Sequence, residues 1–140
     1  MPRCSQIGKQ APQRNDERAA LRHAFARRQE AIDGLASHKA AIERAKTLLG
    51  RAETKAARAT AGIVEAKVEA ARHAAEAISR GNDTEASGNG IVRAARIAEA
   101  SALDEVDALR AVVEQMKAES AEREAAVSRP RSTLPLQCAL

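Results

Sequence analysis

The three histidines and two cysteines are the side chains of this sequence best suited to bind a metal or to act as a base or a nucleophile. His38 and His73 both fall within a helical pattern of apolar residues. The special chemistry that an imidazole offers at such a position is pH-sensitive packing or metal binding. A metal site inside a helical bundle uses Glu-x-x-His pairs, and no Glu stands three residues before any histidine here. We therefore expect partly buried imidazoles bonded to neighbouring glutamates, such as Glu69 or Glu76 for His73, and we predict no metal site.

Cys4 and Cys138 lie near opposite ends of the chain, and neither has a second Cys or a His at metal-ligand spacing. Two cysteines cannot form a disulfide framework, so we interpret both as incidental thiols in a reducing compartment. Gly88 and Gly90 precede a predicted helix, as in a phosphate-binding loop, but the Gly-Lys-Ser/Thr ending of that motif is absent. Since no Ser/His/Asp or Cys/His arrangement is present either, the sequence predicts a protein that is not an enzyme and has no cofactor.

Arginines near the N-terminus form the remaining chemical cluster. The first 30 residues carry seven Lys/Arg and three Asp/Glu, a net charge of +4. At helical spacing, several of these cations share a face that could contact nucleic-acid phosphates, with an affinity that falls as salt rises. The aromatic residues that stack on single-stranded bases are missing from this face, so a solvated face or one complementary to an acidic protein is favoured. The candidate phosphate or acidic-partner contacts are Arg14, Arg18, Arg22, Arg27 and Arg28.

The composition points to helices with little apolar bulk between them. Alanine fills 34 of the 140 positions, Trp and Tyr are absent, and Phe25 is the only aromatic residue. Alanine is the strongest helix former, and the abundant Glu, Arg, Lys and Leu follow closely. Large apolar side chains supply most of the buried area of a thick core, and they are scarce here. The composition therefore predicts an all-α fold of long helices that meet along a thin apolar interface.

Polar, glycine- or proline-containing segments divide the chain into two predicted helices and two tails. A flexible basic tail at 1–15 precedes a helix at 16–80, and a hinge at 81–90 separates it from a helix at 91–128. A second flexible tail, with two prolines, follows at 129–140. The residues before the hinge carry a net charge of +7, and the hinge with the second helix carries −5. Opposite charges favour folding of one arm against the other, so we predict a single domain with a long antiparallel helical hairpin.

Apolar residues recur at alternating steps of three and four along both helices, which is the pattern of a coiled coil. In the first helix, eleven of the thirteen such positions are apolar and the other two are His38 and His73. Alanine at many of these positions lets two helix axes approach to about 8 Å. We call this series the inner stripe; it comprises Leu35, His38, Ile42, Ala45, Leu49, Ala52, Ala56, Ala59, Ile63, Ala66, Ala70, His73 and Ala77 in the first helix, and Val92, Ala95, Glu99, Ala102, Val106, Leu109, Val113, Met116, Ser120, Arg123 and Val127 in the second.

The two predicted arms differ in length, at about 98 Å and about 56 Å for 1.5 Å per residue. If the second arm folds back directly from the hinge, it covers about residues 44–80 and leaves 16–43 as an overhang. An uncovered apolar stripe usually marks an interaction surface. The residues predicted to bind a partner are therefore Leu21, Phe25, Ile32, Leu35 and Ile42.

Two other arrangements fit the same pattern. A helix break near Gly50 would give three helices of similar length and a three-helix bundle, although no Pro, Asn or Asp surrounds this glycine to make a turn. The helices could also pair between chains instead of within one. A two-helix hairpin exposes much of every stripe, so self-association or binding to a partner is expected in any of these arrangements.

No apolar run approaches the roughly 18 residues that a membrane span requires, and the N-terminus lacks the apolar core of a secretory signal. We therefore expect a cytoplasmic protein with no membrane span. The expected function is that of a non-enzymatic stalk, spacer or adaptor that docks on a larger protein assembly through the overhang at 16–43. The alternative is a nucleic-acid-associated helical protein that uses the basic N-terminal arm.

The size and layout of the predicted hairpin are similar to those of the small coiled-coil stalk proteins that accompany the ATPases of flagellar and type III secretion systems. This similarity is one of architecture, and no motif carries it. It implies an accessory role in a secretion assembly, and other small coiled coils, including phage accessory proteins, have a comparable layout.

Overall fold

The structure, a computed structural model, describes residues 10–86 and 88–129 and contains two long α-helices. Helix α1 spans Gln10–Ser79 and helix α2 spans Asn89–Ser128, with a short 3-10 helix at Asp83–Glu85 between them. No strand occurs in the described part of the chain. The predicted all-α helical hairpin is confirmed. The chain divides into two compact units, one of Ala41–Lys117 and one of the residues before and after it.

Helix α1 begins six residues before the predicted start at residue 16 and passes through Gly50 without a break. Pro12 does not prevent the early start, because proline is tolerated in the first turn, where its missing N–H would have no helical partner. At Gly50, the carbonyl oxygen accepts a hydrogen bond from the Thr54 hydroxyl at 3.0 Å. The three-helix bundle, which needs a break here, is therefore wrong. An interior glycine costs only about 1 kcal/mol, and buried Ala45 and Ala52 on either side favour a continuous helix.

Helix α1 ends in a pair of nested hydrogen bonds around Gly81. The Gly81 N–H donates to the Ile78 carbonyl and the Asn82 N–H donates to the Ala77 carbonyl, both at 2.9 Å. This is the Schellman motif, which needs a left-handed residue at its penultimate position. Gly81 supplies that residue with a φ of 77°. The predicted stop of the first helix at Arg80 and Gly81 therefore lies within one residue of the observed end.

The link between the helices runs back along α1 before α2 begins. Gly88, which precedes α2, lies so close to α1 that a Cβ built on it would be 2.8 Å from the Ala70 carbonyl oxygen. Ala70 lies nine residues before the end of α1, about 14 Å along the helix axis. The described residues of the link, 80–86 and 88, must therefore cross the last turns of α1, where Ala77 is buried. Helix α2 starts level with Ala70, not with the end of α1.

In the unit Ala41–Lys117, the two helices pack antiparallel through small and β-branched side chains. The buried cluster holds three alanines and one valine, so the helices meet through a thin layer, as the composition predicts. Its members are Ala52, Ala56, Ala102 and Val106, and the partly buried Leu49, Ala59 and Leu109 pack against them. Polar contacts flank this layer: Lys55 Nζ donates to Glu105 Oε2 at 2.8 Å, Thr60 Oγ1 donates to Glu99 Oε1 at 2.9 Å, and Arg110 Nη2 lies 3.5 Å from Glu53 Oε1.

The inner stripe is buried or half-buried at every predicted position except His73 and Arg123, which are exposed. At the first exception, half-buried Ala74 takes the place of the histidine. The physical reason is that His73 lies beyond the start of α2, so α2 does not cover it.

The described residues before 41 and after 117 form the second unit, in which the two helices again run antiparallel. His38 Nε2 lies 4.0 Å from Glu119 Oε2, and Lys39 forms an ion pair with Glu124. Ser120 is buried among these contacts. The predicted tails at 1–15 and 129–140 fall largely outside the described residues.

Candidate protein-interaction surface

An open groove lies where α2 ends against α1, in the unit that contains residues 10–40 and 118–129. Its volume is about 530 Å³, within the range of pockets that hold small ligands or side chains of a partner. Six of its lining residues come from α1, three from the end of α2, and one, Arg129, directly follows α2. We call it the arm groove; it is lined by Leu21, Ala24, Phe25, Arg27, Arg28, Ala31, Ala126, Val127, Ser128 and Arg129.

Large apolar side chains of the arm groove are exposed, as the sequence predicts for a partner-binding stripe. Leu21 is 58% exposed and Phe25, the only aromatic residue, is 64% exposed. Ile32 follows one heptad after Phe25 and is 39% exposed. Contiguous exposed apolar residues of this kind are uncommon on a monomeric surface and usually mark a site of interaction.

Two of the five residues predicted to bind a partner are covered by the protein itself. Ile42 is 6% exposed and Leu35 is half-buried. The prediction placed the start of α2 level with the end of α1, whereas α2 starts level with Ala70 because the link runs back over α1. This shifts the coverage of α2 by about nine residues toward the N-terminal end of α1. The surface left for a partner therefore contains Leu21, Phe25 and Ile32.

Arginines surround the apolar part of the arm groove. All five predicted contact arginines are exposed, and two of them line the groove together with Arg129. No acidic side chain is among the lining residues, so the groove has an apolar floor and a cationic rim. Within the described residues, none of the five has an ion-pair partner, so their charges are available to another molecule. These are Arg14, Arg18, Arg22, Arg27 and Arg28.

The histidines do not form a reactive site in the described chain. His38 is largely buried and lies close to Glu119, in agreement with the interpretation of a packed imidazole beside a glutamate. His73 is exposed, so the expectation that it packs in the inner stripe is wrong. No group of three His, Cys, Asp or Glu residues that could hold a metal occurs among the described residues. Cys4 and Cys138 lie outside them.

Helix α1 also carries a second apolar face, which the sequence analysis did not single out. Val64, Val68 and Ile78 are 65%, 68% and 60% exposed. Together with exposed alanines they follow steps of four and three over three heptads. The same spacing, begun at Ala57 with a step of four, indicates this face from the sequence. We call it the outer stripe; it comprises Ala57, Ala61, Val64, Val68, Ala71, Ala75 and Ile78.

Comparisons with known proteins add nothing to this geometry. No protein-family model, no curated protein and no solved structure matches the chain. Within the described residues, neither α1 nor α2 has a stretch long and apolar enough to cross a membrane.

Proposed function

We propose that the chain is a non-enzymatic helical adaptor or spacer that docks on a larger protein assembly through the arm groove. The exposure of Phe25 beside Leu21 carries this proposal. Aromatic residues contribute a large share of binding energy when a partner buries them, and they cost little conformational entropy to order. Phe25 and the neighbouring aliphatic Leu21, exposed together on one helix, form a preorganised apolar contact.

The chemistry of the groove fits an acidic amphipathic helix of a partner protein. The partner's apolar face would cover Leu21 and Phe25, in the manner of helices that bind hydrophobic grooves. Its acidic side chains would pair with Arg27 and Arg28 at the rim, where guanidinium groups form two-pronged hydrogen bonds with carboxylates. Charge at the rim speeds association and selects the partner more than it adds affinity.

The setting we propose is a cytoplasmic assembly in which the hairpin pairs as a coiled coil and works as an oligomer. The accessory stalk proteins of secretion-type ATPases provide the architectural comparison. In this function, the inner stripe keeps the helices straight and the arm groove binds the neighbouring component.

The docking proposal is tested by capturing a partner from the native host and measuring its affinity after purification. Phe25→Asp should weaken the affinity of that partner at least tenfold, about 1.4 kcal/mol, because it places a charge on the apolar floor. Ile97→Asp is the matched control, since Ile97 is 62% exposed on α2, outside the arm groove. Equal affinity for the wild type, Phe25→Asp and a second variant, Ile32→Asp, would exclude this surface as the interface.

Nucleic-acid binding is the second candidate, favoured by the five exposed arginines without ion-pair partners. A gel shift with duplex and single-stranded probes at low and high salt tests it. Arg18→Glu with Arg22→Glu should then abolish a shift that weakens steeply with salt. If the wild-type protein shifts neither probe at low salt, this candidate function is excluded.

A further inference from the structure

The outer stripe faces away from α2 and is covered by nothing within the described residues. Its positions follow those of the inner stripe by one or two residues, and each residue turns the helix by about 100°. On average the two stripes are therefore roughly 150° apart around α1. The link does not cover the outer stripe either, because Ala71, Ala75 and Ile78 are exposed where it crosses α1.

The outer stripe has the size pattern of a surface that packs against itself. In chain order its members are two alanines, two valines, two alanines and one isoleucine, and no charged residue stands at any of these positions from Ala57 to Ile78. When two copies of such a stripe run antiparallel, a large side chain on one can face an alanine on the other. Small residues opposite large ones let helix axes come close and fill the space between them.

We propose that the outer stripe binds the outer stripe of a second copy of this chain, with the two α1 helices antiparallel. The two-fold axis passes between residues 69 and 70. In this register each layer pairs one alanine with one larger aliphatic residue. The layers are Ala61 with Ile78, Val64 with Ala75, and Val68 with Ala71, each formed twice by the symmetry.

Charges beside the outer stripe select this register. Glu65 and Arg72 lie on the same side of the stripe, and in this register Glu65 comes within two residues, about 3 Å along the axis, of Arg72 in the second copy; the symmetry repeats this pair. Glu65 has no hydrogen bond or ion pair within the described residues. Arg72 already donates to Glu69 through Nη2 at 2.7 Å, which leaves Nη1 for a second carboxylate. The hydrogen bond from Arg72 to Glu69 also raises the pKa of Arg72, so the guanidinium group stays protonated.

Other arrangements bring like charges together. A shift of one heptad would place Arg58 opposite Arg72 and Glu65 opposite Glu65. A shift of two heptads would place Arg58 opposite Glu65 but would also place Arg51 opposite Arg72. A parallel pair would bring Lys67 beside Arg72 and would stack alanine on alanine. Like charges directly opposite one another suppress such pairings. Charge and side-chain size therefore favour the same antiparallel register.

The proposed contact is short, so the dimer should be reversible. It overlaps residues 61–78 of both chains, about 27 Å of helix. Interfaces of this extent belong to the smaller, transient class, with dissociation constants in the micromolar range. The arm groove lies outside this overlap, and Phe25→Asp should therefore leave the dimer intact.

Sedimentation velocity of the full chain tests the surface. We expect a monomer–dimer equilibrium between low-micromolar and submillimolar concentrations. Val68→Glu should raise the dissociation constant more than tenfold, whereas the matched control Ile97→Glu should leave it unchanged. A wild-type chain that stays monomeric throughout, or a dimer that Val68→Glu does not weaken, would overturn the proposal.

Exchanging the charges of Glu65 and Arg72 tests the contact between them across the proposed dimer interface. Glu65→Arg alone and Arg72→Glu alone should each weaken the dimer, because like charges then face each other across the interface. The double variant, with both changes, should restore the dissociation constant to within a few-fold of wild type. Failure of the double variant to recover, while circular dichroism shows unchanged helicity, would exclude the Glu65–Arg72 contact.

Spin labels test the direction and register. In a chain with Cys4→Ser and Cys138→Ser, a label on Arg51→Cys should lie about 55 Å from its copy, since 37 residues of helix separate the two positions along the axis. The two-heptad shift would give about 35 Å, and a parallel pair would bring the labels close to the interaxial distance of about 10 Å. Either shorter distance would overturn the antiparallel register.

Discussion

Gly88 decides where α2 begins. Its φ of 52° lies in the left-handed region, which side chains other than glycine rarely adopt. Its Cα also lies against the α1 backbone at Ala70, where a Cβ would come within 2.8 Å of the carbonyl oxygen. Both the backbone angle and the close approach therefore require glycine, and together they hold the link against α1.

We predict that Gly88→Ala destabilises the protein by about 1–3 kcal/mol, because it adds backbone strain and a steric clash. Gly90→Ala is the matched control, since Gly90 lies in the first turn of α2 with nothing within 4 Å of an added Cβ. Urea unfolding followed by circular dichroism measures both. If the two variants have the same free energy of unfolding, the link does not contact Ala70 as described.

Helix α1 differs from an ordinary amphipathic helix because it carries two apolar stripes. One faces α2, and the other, the outer stripe, is exposed. The three interior glycines do not divide the helix, since hydrogen bonding and burial on either side outweigh their low helix propensity. A rigid, uninterrupted element can therefore present separate surfaces along its length.

We predict opposite effects for the same substitution at two glycines. Gly50→Ala should stabilise the protein by about 0.5–1 kcal/mol, because the site is helical and open, with nothing within 4 Å of an added Cβ. Gly81→Ala should destabilise it by about 1–2 kcal/mol, because the Schellman motif needs a positive φ. Thermal unfolding at fixed protein concentration measures the direction of both changes in stability. Destabilisation by Gly50→Ala would contradict a continuous α1.

A thin layer of small side chains holds the helices of the unit Ala41–Lys117 together. Val106 is among the largest of its buried residues. The ion pairs that flank the layer, such as Lys55–Glu105, are more than half exposed on the lysine side. Solvent screens such pairs, and their contribution is about 0.2–1 kcal/mol each. Packing, therefore, should stabilise the hairpin more than charge does.

We predict that Val106→Ala costs about 1–3 kcal/mol, because it removes buried methyl groups from a layer that cannot easily collapse around the loss. Val112→Ala, at an exposed position of the same helix, should stay within about 0.5 kcal/mol of wild type, and Lys55→Ala within about 1 kcal/mol. Chemical denaturation compares the three. A larger cost for Lys55→Ala than for Val106→Ala would show that charge, not packing, holds the helices together.

The inner stripe shows how far the sequence alone determines the fold. The steps of three and four predict helix, pairing face and nearly every covered position, because each follows from local geometry. Gly81 predicts the end of α1 for the same reason. The two positions that differ are His73, which lies beyond the start of α2, and Arg123, whose charge is costly to bury.

The extent of the exposed apolar surface on the N-terminal part of α1 depended on tertiary structure. Ile42 belongs to the same apolar series as Phe25, and spacing cannot distinguish a covered member from an exposed one. The distinction comes from the contact of Gly88 with Ala70, two residues that are far apart in the sequence. That contact sets the register of α2 and, with it, the length of α1 left uncovered.

The sequence by itself determined that this chain forms two long helices with apolar stripes and a basic N-terminal arm, because helix propensity, turn residues and charge act locally. Only the tertiary structure decided how far along α1 the cover of α2 extends. An apolar repeat on a helix with 3.6 residues per turn continues unchanged from covered residues to exposed ones, so periodicity does not distinguish them. The path of the link, fixed by a close contact between distant residues, sets where that cover lies and leaves the arm groove exposed.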